Sequence, residues 1–269
     1  MPKPKTFAPG KRISLDDIDP ADTGKVTSKD SAAKQEANWL ERLFDLQAKL
    51  SAESQQALLI VLQGLDASGK DGTIRHVFAG VNPQACQVHG FKAPTPIELA
   101  HDYLWRIHTA CPPRGVIGIF NRSHYEDVLA VRVEKLVPEK IWSQRYDQIN
   151  QFERMLTESG TRVLKFYLHV SKKEQRDRIM ERLQDPSRNW KFSESDLDTR
   201  TKWKPYRAAY DDALTFCNTT WAPWHVVPAD HKWYRNLVIA ETVVKTLEDM
   251  NPKYPKPKIE LDKYRALLK

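Results

Sequence analysis

Cysteine is scarce: the 269 residues hold three, Cys86, Cys111 and Cys217, with no CxxC spacing. An odd count without metal-ligand spacing argues against a disulfide framework or a structural zinc, and for a reducing, cytoplasmic setting. No apolar run approaches the ~20 residues of a membrane-spanning helix. The start, MPKPKTFAPGKR, carries prolines and lysines where a signal peptide has an apolar core. No membrane partner is therefore expected. No internal repeat recurs at a fixed period. An excess of one charge is also lacking once the ends are set aside. Lys+Arg number 42 against 35 Asp+Glu, a net charge of +7. Lys3, Lys5, Lys11, Arg12, Lys253, Lys256 and Lys258 account for all of it. The body is formally neutral, so the basic balance does not indicate a nucleic-acid partner, and both basic ends read as solvated tails.

What is present suits a globular protein. Hydrophobic residues make up 41% and charged residues 29%, and the length is ample for a sizeable core. Residues 1–28 read as an extended N-terminal tail, 29–250 as a single domain, and 251–269 as a C-terminal tail. A first helix is expected from about Ser31 to Leu50, either packed on a sheet or part of a dimer contact. Ala57–Leu62, Val116–Phe120, Val163–Val170 and Trp224–Val227 are short apolar runs of the kind buried parallel strands show. Helices are expected between and after them: from Lys70, from Thr95 to about Ala110, from Pro138 to Ser159, from Ser171, over Trp203–Cys217, over Leu237–Leu247 and over Leu261–Leu268. Thr95-Pro96-Ile97-Glu98 and Ser171-Lys172-Lys173-Glu174 have capping-box form. Strands alternating with helices predict an α/β fold, a parallel sheet with helices on both faces. Ligands then bind where the strands end.

After the first strand comes Gly64-Leu65-Asp66-Ala67-Ser68-Gly69-Lys70-Asp71-Gly72-Thr73. The spacing G-x-x-x-x-G-K between a buried strand and a helix is the P-loop pattern. Glycines let successive N–H groups turn inward at the positive end of a helix, and the lysine offsets phosphoryl charge. Gly64, Ala67, Ser68, Gly69, Lys70, Asp71, Gly72, Thr73 and Arg75 form the candidate phosphate-binding set. The usual Ser or Thr after the lysine is replaced by Asp71. Asp66 lies inside the loop, where an acid repels phosphate unless a cation intervenes, which makes it the first candidate Mg²⁺ ligand. An Asx-turn is the alternative for it.

The second strand ends in Asn121-Arg122-Ser123-His124-Tyr125-Glu126-Asp127, a polar run hard to justify as core packing. Glu126 and Asp127 offer charge where Asn121 has none. Arg122 and Arg132 offer phosphate clamps or structural salt bridges, and His124 a hydrogen-bonding or packing role. The third strand opens a segment with Lys172, Lys173, Arg176, Arg178, Arg182, Arg188 and Lys191, diluted by four acids. It reads either as a solvated face of i,i+4 pairs or as the basic helix of a closing lid, about 171–200.

These motifs, with the Trp190-Lys191-Phe192 segment and supporting stretches such as Gly80-Val81-Asn82-Pro83 and Asp102-Tyr103-Leu104-Trp105-Arg106, resemble the family-2 polyphosphate kinases over about Ala57 to Trp233. The resemblance implies a thymidylate-kinase-like P-loop fold with a helical lid. It implies Mg²⁺-dependent phosphoryl transfer between inorganic polyphosphate and AMP, ADP or ATP, and assembly as a homodimer or homotetramer. Carried over by motif, Lys70 contacts phosphates and Asp66 and Asp127 hold Mg²⁺. Arg122, Arg132, Arg178 and Arg182 face the polyanion or the nucleotide phosphates. Lys70, Asp66, Arg122, Asp127 and Arg178 are the implied catalytic set. Asn121, Arg122, Tyr125 and Glu126 are the implied nucleotide-binding set, and Lys172, Lys173 and Arg176 are further phosphate contacts. Asn121, where ADP-specific members have an acid, resembles the subgroup accepting both AMP and ADP. The loop Phe91–Thr95 and Arg106 are candidates for the base pocket. Two other readings stay open: an ATP-using nucleoside monophosphate kinase, against which Asp71 argues, and a non-catalytic polyanion-binding P-loop protein.

Overall fold

A computed structural model describes residues 3–268; Met1, Pro2 and Lys269, the outermost residues of the two expected tails, lie outside the described residues. Five strands form one parallel sheet: β1 (Ala57–Gln63), β2 (Cys86–Gly90), β3 (Ile117–Asn121), β4 (Thr161–His169) and β5 (Trp224–Pro228), in the order β2-β3-β1-β4-β5. β1 is central and all seven of its residues are buried. Its side chains alternate between two cores, as the two-residue period of a strand requires. Leu59 and Val61 join one face, and Leu58, Ile60 and Leu62 the other.

The helices are α1 (Lys29–Glu53), α2 (Lys70–Val77), α3 (Pro96–Leu99), α4 (Trp105–Ala110), α5 (Ala130–Val133), α6 (Glu139–Trp142), α7 (Arg145–Glu158), α8 (Lys172–Gln184), α9 (Glu194–Thr201), α10 (Trp203–Phe216), α11 (Lys232–Met250) and α12 (Leu261–Leu267). α4, α7 and α10 cover one face with Ile107, Ile149, Phe152, Tyr210 and Leu214. α1 and α11 cover the other with Leu43, Leu50, Leu237, Val243 and Leu247. α1 therefore packs its apolar face on this chain's own core. Gln47 fixes it further, donating through Nε2 to Asn82 O at 2.8 Å and accepting from Asn82 N at 2.9 Å.

Three differences from the sequence have clear causes. β2 is a fifth strand not foreseen; Cys-Gln-Val-His-Gly is polar and half-exposed because it forms the sheet's edge. The helix expected from Thr95 to Ala110 is two helices. Its capping box forms, with Thr95 N to Glu98 Oε2 at 2.6 Å, but Asp102 Oδ1 then accepts from Leu104 N at 2.9 Å, a local turn that competes with the helix. The N-terminal segment is extended, with one 3₁₀ turn at Leu15–Asp17, yet it is not a solvated tail. Lys5 pairs backbone to backbone with Val226 of β5, at 2.8 and 2.9 Å, and Ile13, Leu15 and Ile18 are buried. The basic C-terminal segment is exposed over residues 253–268. No helix among the described residues is long and apolar enough to cross a membrane.

Candidate active site

The loop from β1 to α2 depends on three left-handed positions: Gly64 (φ +151°), Ala67 (φ +62°) and Gly69 (φ +106°). A Cβ at Gly64 would lie 2.9 Å from Leu168 O, and one at Gly69 only 1.8 Å from Arg235 Nη1. Both places need glycine for space as well as for φ. Lys70 opens α2 and is buried, donating to Gly64 O at 2.6 Å and Leu65 O at 3.3 Å. Burial first, and the positive charge of Arg122 second, lower its ammonium to about 8. Asp66, Glu126 and Asp71 act in the opposite direction, which places all three carboxylates within electrostatic reach. Ser68 and Thr73 are fully buried, and their hydroxyl oxygens have no partner among the described residues. Orphaned buried hydroxyls at a P-loop suit a site that receives phosphate or a hydrated cation.

The end of β3 meets this loop through parallel pairing, with Leu62 opposite Asn121. Arg122 holds a left-handed backbone (φ +63°), its N–H on Leu62 O at 3.1 Å. Such strain in a non-glycine residue persists where surroundings over-determine it. Arg122 Nη2 donates to Asp66 Oδ1 at 2.6 Å, and Asn121 Nδ2 to Asp71 Oδ1 at 2.5 Å. Lys70, Asp66, Asp71, Asn121, Arg122 and Glu126 are thus brought together.

Other candidates are placed elsewhere. Tyr125, expected at the nucleotide, is fully buried in the core. Its hydroxyl donates to Glu153 Oε1 at 2.8 Å and accepts from Lys165 Nζ at 2.8 Å. His124 shares that cluster, 3.2 Å from Glu153 Oε1. Asp127 is given to Arg145, at 2.8 Å, and burial raises its carboxyl to about 6. No group of three or more His, Cys, Asp or Glu among the described residues is arranged to hold a metal ion. Arg132 is bound to Asp212 at 2.7 Å and lies 4.7 Å over the Trp142 ring. Arg75, Lys172, Lys173 and Arg176 are exposed, with Arg176 on Asp177.

The basic helix α8 is docked on the loop rather than held away from it. Gln175 Nε2 donates to Asp66 O at 3.1 Å, and Arg200 of α9 donates to Lys172 O and Gln175 Oε1 at 2.8 and 2.9 Å. Arg182 binds Asp196 at 3.0 Å inside the lid segment. Arg178, expected to face the transferring phosphoryl group, is buried behind the loop, its Nη1 on Ala67 O and Ser68 O at 3.1 and 2.9 Å. The second capping box is half-formed for the same reason. Ser171 Oγ accepts from Glu174 N at 3.0 Å, while Glu174 Oε1 accepts from Arg178 Nε at 2.7 Å. Gln175 and Arg235 escaped the sequence. Each carries no local motif that marks it, and each is brought to the loop only by folding.

Beside the cluster, at the end of β2, is a cavity of about 370 Å³ lined by His89, Phe91, Lys92, Thr95, Glu98 and Arg106 among others. Phe91 N donates to Asn121 O at 3.0 Å, so the cavity begins next to the cluster. Arg106 donates to Lys92 O at 2.9 Å and lies 5.6 Å over the Phe91 ring.

A parallel sheet with β1 at its centre, a phosphate loop and a docked basic helix define a P-loop kinase fold. The model of the family "Polyphosphate kinase 2 (PPK2)" matches residues 26–255. A relative from Meiothermus ruber, AMP/ADP-polyphosphate phosphotransferase, is 48% identical over 95% of this chain and 96% of its own. ADP-polyphosphate phosphotransferase from Rhodopseudomonas palustris is 45% identical over 80% of this chain and 79% of its own. The crystal structure of polyphosphate kinase 2 from Arthrobacter aurescens TC1 superposes with a TM-score of 0.93 at 38% identity, over 100% of this chain and 99% of that one. The chain belongs to the polyphosphate kinase 2 family.

Proposed function

We propose that this protein transfers phosphoryl groups from inorganic polyphosphate to AMP and ADP, and in reverse. The observation that carries this reading is the junction of β1 and β3, where Lys70, Asp66, Arg122 and Asn121 meet beside the Phe91 cavity. The attacking oxygen of AMP or ADP is already ionised at neutral pH, so no strong general base is needed. Positioning and charge stabilisation carry the rate. Lys70 and Arg122 offset the negative charge on the transferring group and its donor. Asp66 turns Arg122 toward the loop, and Asn121 holds Asp71, so neither carboxylate points unpaired at phosphate. The Phe91 cavity, with an aromatic face and the Arg106 cation, suits the acceptor nucleoside. Asp66 and Asp127 would hold Mg²⁺, which would neutralise phosphate charge, and the unpartnered Ser68 and Thr73 hydroxyls of the loop and of α2 suit such a site; each carboxylate is also paired with an arginine, Asp66 with Arg122 and Asp127 with Arg145. The resemblance further favours a homodimer or homotetramer, and the sparse cysteines favour a cytoplasmic setting.

The test is product analysis by phosphorus NMR, with Mg²⁺, AMP or ADP as acceptor, and polyphosphate or ATP as donor. ATP formed from AMP and polyphosphate is the expected result. Product from ADP alone would overturn the dual-acceptor reading. ADP formed from AMP only with ATP as donor would replace it with a nucleoside monophosphate kinase, and no product in any pairing with a mere binding protein.

A further inference from the structure

Two guanidinium groups from different helices converge behind the phosphate loop on one backbone oxygen. Arg178 of α8 donates to Ser68 O at 2.9 Å, and Arg235 of α11 donates to the same oxygen at 3.3 Å. Both residues are more than nine-tenths buried. Arg178 also reaches Ala67 O at 3.1 Å, Ala229 O at 2.5 Å and Asp230 O at 3.0 Å, so it ties the loop to the β5–α11 connection. Its charge is met by Glu174 at 2.7 Å. Arg235 has no carboxylate in direct contact among the described residues; Glu36 acts on it only through space. Its remaining hydrogen bonds go to the neutral Asn236 Oδ1, at 2.8 and 3.1 Å.

A trans peptide carries its carbonyl and the following N–H on opposite edges. Holding Ser68 O on the buried side therefore turns Gly69 N–H to the other side. Gly69 is half-buried between buried Ser68 and Lys70, so that side is the open face of the loop. The missing Cβ at Gly69 is what admits the Arg235 guanidinium, which a side chain there would meet at 1.8 Å. Burying a cation against neutral oxygens is unfavourable, and its field is poorly screened. Burial, and then the charge of Arg178, depress the Arg235 guanidinium to about 9, with Glu36 pulling the other way. An anion on the open face of the loop offsets that cost.

We propose that Arg235, with Arg178, is a positioning residue for the phosphate donor: the pair clamps the Ser68–Gly69 peptide so that Gly69 N–H faces the donor phosphates, with the buried Arg235 charge behind it. The inference rests on the loop's role as donor site. Because Arg178 stands on α8, the helix that opens the lid segment, displacement of that helix also loosens the peptide that greets the phosphate.

The test compares wild type with Arg235→Met and Arg235→Lys. Two readouts are taken: tripolyphosphate binding by calorimetry, and KM for polyphosphate and AMP with kcat, each beside the melting temperature. Losing a charge-assisted hydrogen bond and the charge behind it should weaken tripolyphosphate binding about tenfold or more in Arg235→Met. KM for polyphosphate should rise in parallel while KM for AMP stays within about twofold, and Arg235→Lys, which keeps the charge, should recover part of the loss. Tripolyphosphate binding unchanged in the folded variants, or AMP and polyphosphate affected equally, would overturn the clamp. If Arg235→Met does not fold, Arg235→Lys carries the test, with binding equal to wild type as the refuting result. Wild type that binds tripolyphosphate without turnover would sink the proposed reaction and leave the clamp to be judged by binding alone.

Discussion

Lys70 has to be a cation to attract phosphate, yet it sits in a buried place that disfavours the cation. Its depressed value of about 8, against an ordinary 10.5, has two consequences of opposite sign. Between those two values the unfolded chain binds more protons than the folded one, so this group's contribution to stability rises with pH. Over the same interval the charge that draws in the donor fades. We expect kcat/KM for polyphosphate to fall as pH rises through about 8, without a matching fall in melting temperature. The limb in kcat should lie at higher pH, because bound phosphate stabilises the ammonium. A kcat/KM profile flat from pH 7 to 9.5 would contradict this, and Lys70→Ala, which loses an electrostatic stabiliser worth on the order of 10²-fold, is the control without the limb. Asn121 supplies a second prediction. Its amide donates to Asp71 at 2.5 Å, so Asn121→Asp puts two carboxylates where one bond stood. Their repulsion should open this corner of the site and shift the ratio of AMP to ADP turnover. An unchanged ratio, read by chromatography of products, would refute the part given to Asn121.

At the scale of elements, the loop and the β3 end were legible in the sequence because they are local. The glycines, the lysine and the strand before them lie within a few residues, and their backbone demands show as residue type. Tyr125 shows the limit: a polar residue in a polar run can still point inward. Its hydroxyl finds Glu153 on α7 and Lys165 on β4, 28 and 40 residues away in the chain. The Lys165–Glu153 pair is fully buried at 2.6 Å, and Lys165 also donates to Cys217 O at 2.7 Å. This pair anchors the segment carrying Arg122, Glu126 and Asp127 from below. Lys165→Met should cost about 3–5 kcal/mol, because it strands a buried carboxylate. Replacing both partners with apolar residues, Lys165→Met with Glu153→Leu, should recover part of that loss in urea unfolding. A double variant as unstable as the two single losses added together would show that packing, not the stranded charge, sets the cost. Arg235 and Gln175 were illegible for the converse reason, since 167 and 109 residues separate them from the loop atoms they hold.

For the whole molecule, composition marked the chain as globular, but it mistook where the chain's N-terminal end belongs. The strand and helix alternation reported the sheet correctly except at β2, whose exposed edge position removes the apolar signature. The lead-in was misjudged because its lysines and prolines hide three apolar residues that only the folded α10 and the end of β4 can receive. Ile13 N donates to Thr215 Oγ1, Leu15 N to Asp211 Oδ1, both at 2.9 Å, and Ile18 O meets His169 Nε2 at 2.9 Å. Burying three such side chains is worth about 1.5–3 kcal/mol each as an upper figure. That sum is a large share of the ~5–15 kcal/mol by which a domain of this kind is stable. Removing residues 1–18 should therefore lower the urea midpoint sharply and expose the β5 edge for pairing between molecules. Light scattering should rise with concentration in that variant. Removing only residues 1–4, which ends short of the Lys5–Val226 pairing, should shift stability by no more than about 0.5 kcal/mol. Equal midpoints for the two truncations would mean that the segment merely lies on the sheet, and that the sheet is stable without it.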